Sequence, residues 1–157
     1  IVFDFLPKIN DEPEWIAVGR LDINTSGLML FTNDGTLAHQ LMHPSYQIDR
    51  EYLVRARGHF DEQIRQNMLS GVKIEGQIYK FSDIVIGEKK SSNQWFTVCM
   101  LTGKNREVRK IFQSQDLQVS RLKRVRIGPI FLPSTLKEGT YLRLTESQIE
   151  QLKKYGK

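Results

Sequence analysis

The feature that most constrains the fold is the mixture of two hydrophobic periods along one short chain. Residues 51–57, EYLVRAR, alternate like a half-buried strand, and residues 94–102, QWFTVCMLT, read as another. WIAVG at 15–19 and GLMLFT at 27–32 are short apolar runs that suit buried strands. VKIEGQIYKF at 72–81 has the form of a hairpin about Glu75-Gly76, and YLRLT at 141–145 reads as a last strand. Helical patterns lie between these runs. TLAHQLM at 36–42 sets Leu37 and Leu41 four apart, after the turn and cap signal NDG and before Pro44. Asp61 is placed to cap EQIRQNMLSG, with Ile64 and Met68 on one side and Gly71 ending it. In NREVRKIFQSQ at 105–115, Asn105 is the expected cap and Val108, Ile111 and Phe112 form an apolar stripe. Arg106, Arg109, Lys110 and Gln113 fall on another face of that helix. Thr145 and Gln148 spell a capping box that opens TESQIEQLKKY. EKKSSN at 88–93 reads as an exposed loop. Because these elements alternate without a regular βαβ period, the expected class is α+β: one compact domain, residues 1–157, with a largely antiparallel sheet flanked by helices.

Charge narrows the partners. The chain carries a net charge of +5. In the 23 residues from Lys104 to Arg126, eight are Lys or Arg and two are acidic, giving +6, so the other residues sum to about −1. A concentrated basic segment in a near-neutral chain points to a polyanion, although a solvated basic face would look the same. No apolar run approaches the roughly 18 residues of a membrane span. The single cysteine, Cys99, excludes an internal disulfide and a multi-cysteine metal site, and suits a reducing cytosol. Its place in the run WFTVCML leads to the expectation of a buried core residue. The chain starts Ile1-Val2-Phe3 without a methionine, so a preceding N-terminal part is expected.

The stretch GRLDINTSG at 19–27 holds the most informative carboxylate, Asp22. DINTSG imitates the start of a calcium loop, but such a loop needs a glutamate at its twelfth position, and Asn33 stands there. A phosphate loop fails too: Lys104 is followed by Asn105, and the required glycine is Val98. Ser26 lacks the G-x-S-x-G setting of a nucleophilic serine, and His39, His43 and His59 show no metal-ligand spacing. Two readings of Asp22 stay open at this point, a turn or capping carboxylate and a reactive one. Arg20 close by and a strongly basic helix elsewhere favour the second.

GRLDINTSGLMLFTNDG resembles the signature loop of the bacterial ribosomal RNA pseudouridine synthases of the RsuA/RluB type. The resemblance continues through REYLVRARG at 50–58, LTGKNREVRKIF at 101–112 and VSRLKRVRIGPIFLPSTLKEGTYLRLT at 119–145, so it runs in order along nearly the whole chain. Thr102, Glu107 and Lys110 stand where the family more often has Glu, Gln and Arg. Family members usually carry a small RNA-binding domain of the S4 type ahead of the catalytic domain, and no such segment is present in this sequence.

The resemblance implies a pseudouridine synthase fold with a central active-site cleft and an isomerisation of uridine in ribosomal RNA. Uracil leaves C1′, rotates and rejoins through C5, with no redox change and no cofactor or metal. It implies Asp22 as the catalytic carboxylate, Tyr52 as the ring that receives the flipped base, and Arg109 as the cation beside Asp22, with Arg106 and Lys110 as close alternatives on the same helix. Whether Asp22 attacks the sugar, attacks the base or serves a glycal route stays open. Arg20, Arg106 and Lys110 would contact RNA, and Lys104, Arg121, Lys123, Arg124 and Arg126 would contact phosphates. The expected partner is ribosomal RNA or a ribosomal subunit precursor in the cytoplasm, met by a monomer. VSRLKRVR resembles the large-subunit branch of the family, with small-subunit RNA as the alternative. Two rivals are a non-catalytic RNA-binding module and a small-molecule hydrolase such as a glycosidase. The hydrolase would need a second carboxylate, for which Asp34 and Glu51 are nearest. Salt dependence of binding separates RNA from a neutral sugar.

Overall fold

The computed structural model describes residues 2–8, 14–101 and 106–156. After a 3-10 turn at Val2–Phe5, the elements run β1 (Ile16–Val18), β2 (Ser26–Gly27), β3 (Leu30–Thr32), α1 (Gly35–Met42), β4 (Arg50–Arg57) and α2 (Glu62–Ser70). Then come β5 (Val72–Ile74), β6 (Gln77–Tyr79), β7 (Asp83–Lys90), β8 (Asn93–Met100), α3 (Glu107–Ser114), β9 (Gln118–Ile127), β10 (Ile130–Phe131) and α4 (Glu146–Tyr155). The main sheet has the order β10-β9-β4-β8-β7 and is antiparallel along that path. Only the short β2 joins it in parallel, against β9. The fold is therefore α+β with an antiparallel sheet, as the two hydrophobic periods require.

Local chemistry starts three of the helices where the sequence places them. Asp34 accepts from the backbone N–H groups of Thr36 and Leu37 at the head of α1. Asp61 accepts from Ile64 N–H at 2.9 Å at the head of α2. Thr145 and Gln148 make the full capping box of α4. Each satisfies donors that an α-helix leaves without intrahelical partners.

Two apolar cores flank the sheet's ends. Val54 and Ala56 of β4, Phe96 and Val98 of β8, and Ile111 and Phe112 of α3 belong to the larger one. Phe112 is fully buried and stacks obliquely on Phe81 and Phe96, with centroids 5.7 and 5.4 Å away. That contact fixes α3 against the sheet. The second core gathers Leu28, Leu30 and Leu41 with Ile48, Ile127 and Leu152, so α1 and α4 close the other end.

Five expectations change. EKKSSN is not a loop: β7 continues to Lys90 and β8 starts at Asn93, joined through Ser91 at φ +58. β7 is exposed there and the first residues of β8 are only half-buried, so backbone pairing holds them without a clear apolar signature. YLRLT pairs with no strand among the described residues, and of its side chains only Leu144 packs on a core. GLMLFT divides between β2 and β3, because Gly27 docks on β9 while Leu30–Thr32 pairs with β1. Asn105 lies outside the described residues, and α3 begins behind Arg106, whose backbone is left-handed (φ +53) and whose side chain makes no cap bond. Finally, Cys99 is only partly buried, and strict alternation along β8 sends it to the face opposite Phe96, Val98 and Met100. There its thiol meets Glu51 at 3.4 Å and Arg126 at 3.6 Å.

One irregularity decides which side chains share a face. Glu51 pairs with Arg126, yet its neighbour Tyr52 pairs with Arg124, so Val125 has no partner on β4. Such a bulge reverses the alternation. Arg124 and Arg126 are two apart and would share a face on a regular strand; here they do not. Arg126 turns to Glu51 (3.3 Å), Asp49 (2.9 Å) and the carbonyl of Gly128 (2.9 Å). Burial alone would raise the Asp49 carboxyl, but hydrogen bonds from Arg126 and from the Tyr155 hydroxyl outweigh it and hold the group below its ordinary value of 3.8. A lowered carboxylate stabilises the fold above its unfolded pKa and loses that contribution as pH falls through the folded one. Asp49→Asn is therefore expected to flatten the acid limb of a stability-against-pH curve below about pH 4. Urea melts from pH 7 to 2 check this; parallel curves for both proteins would exclude the role given to the pair.

Candidate active site

A cleft of about 280 Å³ opens where the upper end of the larger core meets the loop between β1 and β2. Tyr52 and Arg50 of β4, Met100 of β8, and Leu122 and Arg124 of β9 form its floor. Alternation explains the set: Arg50 and Tyr52 continue the face of Val54 and Ala56, and the bulge at Val125 leaves Arg124 on that face. The start of α3 supplies one wall through Arg106, Glu107 and Val108. The loop supplies the other through Gly19, Arg20, Asp22 and Thr25.

The loop is held in three places. Asp22 O accepts from Thr25 N–H at 2.9 Å, which closes the turn and leaves Ile23 and Asn24 outside. Arg109 Nη2 reaches across from α3 and donates to the carbonyl of Asn24 at 2.6 Å. At its end the loop docks on β9, where Gly27 pairs beside Arg124 and Leu28 N–H donates to Arg124 O at 2.8 Å. The Asp22 carboxylate caps no backbone group among the described residues; the turn is closed by its carbonyl. The Asp22 side chain is half-buried and lines the cleft.

Cations surround it. Burial lowers the Arg109 pKa, the like charge of Arg106 lowers it further, and Asp22 acts the other way by favouring the charged form. Among the described residues Asp22 and Arg109 make no direct ion pair, so this coupling acts through the field. Arg124 is 4% exposed. It donates Nε to Leu28 O at 2.9 Å and Nη1 to Arg20 O at 3.4 Å, so a cation rooted in the sheet grips the backbone on both sides of Asp22. Burial lowers the Arg124 pKa as well, against the Tyr52 side chain, which favours its charged form.

The RNA pseudouridylate synthase family model matches residues 4–114. The chain belongs to the RNA pseudouridylate synthase family. It is 50% identical over 152 residues to the ribosomal large subunit pseudouridine synthase B of Pseudomonas aeruginosa, covering 96% of this chain and 39% of that protein. The protein of the same description from Vibrio vulnificus is 48% identical, covering 97% of this chain and 47% of its own. The chain thus spans less than half the length of these two curated relatives. A crystal structure of a pseudouridylate synthase superposes with a TM-score of 0.80 at 28% identity, over 96% of this chain and 64% of that one.

The remaining basic residues of this pseudouridylate synthase family member separate into groups. Arg20 and Arg106 are exposed on opposite rims of the cleft. Arg121 and Lys123 are exposed on β9 and line a larger cavity of about 1390 Å³, which shares Leu21 and Thr25 with the cleft but includes none of Asp22, Tyr52 and Arg109. Lys110 diverges from Arg109 and places its ammonium over the Tyr79 ring, 5.6 Å from the centroid, outside the cleft. Arg124 and Arg126 are corrections: both are buried and bound to protein acceptors, so neither is a surface phosphate contact. Lys104 lies outside the described residues. Among the described residues no group of three His, Cys, Asp or Glu is placed to hold a metal, and no helix is long and apolar enough to cross a membrane. The sequence reading missed Arg50, although alternation in REYLVRAR already sets it beside Tyr52. It did not place Glu107, which it noted only as a departure from the family motif, or Thr25 in the site.

Gly27 makes the docking possible. Its φ is +113, and a Cβ there would stand 2.2 Å from the carbonyl oxygen and 2.6 Å from the nitrogen of Arg124. Gly27→Ala is expected to break the β2–β9 contact and to cost about 2–4 kcal/mol. Urea unfolding, with hydrogen exchange at the Leu28 amide, measures this; wild-type stability and protection would contradict it.

Proposed function

We propose that the protein converts a uridine of large-subunit ribosomal RNA to pseudouridine, with Asp22 as its catalytic carboxylate. The observation that carries this reading is the juxtaposition of Asp22 and Tyr52 across one cleft, with the Asp22 loop pinned by Arg109 and Arg124. The names of the relatives support the choice of large-subunit RNA. Ribosomal RNA or a ribosomal precursor in the cytoplasm is then the partner, met by a monomer.

The reaction breaks the N1–C1′ bond and forms C5–C1′. C5 loses a proton and N1 gains one, so atoms and electrons balance without a cofactor. A stacked uridine is out of reach of a recessed carboxylate, so the nucleotide must flip out, at a cost of a few kcal/mol. Tyr52 offers the ring on which the extruded base lies, contributing about 1–3 kcal/mol. Asp22 then meets C1′, where positive charge develops as the base departs. Arg109 keeps the loop, and hence the carboxylate, at a fixed distance from the ring. Arg20 and Arg106 on the rims meet the backbone of the flipped nucleotide, while Arg121 and Lys123 meet phosphates farther along the strand. Lys104 is retained as a phosphate contact from the motif alone.

Asp22→Asn tests the assignment. Pseudouridine formation in large-subunit RNA should fall at least about 10³-fold while RNA affinity stays within roughly threefold. Chemical mapping of modified uridines reads the first and filter binding the second. Product formed by the variant at the wild-type rate would remove Asp22 from the mechanism.

A further inference from the structure

Arg124 has one donor left over. Its Nε and Nη1 are occupied by Leu28 O and Arg20 O, and the Tyr52 side chain lies close enough to favour its charge, but Nη2 is buried and makes no hydrogen bond of its own. A buried N–H without an acceptor is costly, and it persists here on a residue that lines the cleft. The arrangement is what a site shows when the missing acceptor belongs to its ligand.

The position identifies the acceptor. Arg20 and Arg106, at the rims, are exposed and suit phosphate. Arg124 is on the floor beside Tyr52, where the deepest part of a flipped nucleotide arrives, and that part is the base. The acceptors a uracil offers are its two carbonyl oxygens. A half-turn of the detached ring about its N3···C6 axis exchanges N1 with C5, which the isomerisation requires. The same half-turn exchanges the two carbonyls. A donor fixed opposite one carbonyl therefore finds the other in the same place after rotation. Arg124 is fixed in this sense, because two of its nitrogens are bonded to backbone and almost none of it reaches water.

Resting on the proposed synthase activity, we propose that Arg124 Nη2 holds the detached uracil by a carbonyl oxygen before and after its rotation, keeping the free base in the cleft until C5–C1′ forms. The N1–C1′ and C5–C1′ exchange is unchanged by this contact; Arg124 donates a hydrogen bond and transfers no proton.

The test uses a synthetic RNA stem–loop holding the uridine mapped in large-subunit RNA, with uridine, 4-thiouridine or 2-thiouridine at that position. Sulfur accepts hydrogen bonds poorly. Wild-type protein should turn over both thio substrates more slowly than uridine. Arg124→Met should lower kcat roughly 10- to 100-fold with KM within about threefold, release free uracil, and show no further slowing with sulfur. Far-ultraviolet circular dichroism verifies that the variant is folded. The proposal is overturned if the variant keeps the wild-type sulfur penalty or its kcat stays within about twofold. Where the variant does not fold, the wild-type comparison decides, since thio substrates that match uridine overturn it unaided. Failure of wild type to make pseudouridine from the uridine stem–loop would instead overturn the functional reading itself.

Discussion

A guanidinium cut off from water must find acceptors in the protein, and Arg124 finds them in the backbone of the loop that carries Asp22. This is the tie between a flexible-looking connection and a rigid sheet. It depends on the bulge at Val125, which places Arg124 on the face of Tyr52 instead of the face of Glu51. It depends equally on Gly27, whose missing side chain lets the loop lie against the Arg124 backbone. A regular β9 would rotate the cation to the wrong side of the sheet, and the carboxylate would lose its anchor.

The second anchor arrives from the hydrophobic core. Phe112 and Ile111 lock α3 to the sheet through contacts with no water access, and the next face of that helix carries Arg109 to the Asn24 carbonyl. Core packing on one side of α3 therefore becomes positional precision on the other. The two arginines approach the loop from different elements, and Asp22 lies between their attachment points. Under the proposed activity, preorganisation of this kind would hold the carboxylate opposite the sugar carbon, where misplacement by about 1 Å costs on the order of 10² in rate.

Much of this was legible in the sequence. Three helix caps and the 75–76 hairpin follow from short-range hydrogen bonding, and alternation in EYLVRAR and QWFTVCMLT marks the two central strands. The motif around Asp22 pointed to the cleft that the structure displays. What stayed hidden came from pairing at a distance. At the β7–β8 tip one strand is exposed and the other only half-buried, so the pair has no clear hydrophobic period to read. The bulge in β9 has no local mark, which is why Arg124 and Arg126 looked like equivalent surface cations. Cys99 looked like core because its neighbours are apolar, but alternate residues of a strand face different environments.

The most direct measurement is a crystal structure of the Asp22→Asn protein bound to an RNA stem–loop that contains its target uridine. The account predicts that uridine unstacked in the cleft, its base on Tyr52 and against Arg124, with C1′ about 3–3.5 Å from the residue 22 side chain. A target uridine still stacked in the RNA helix, or bound in the larger cavity away from Tyr52, would contradict it.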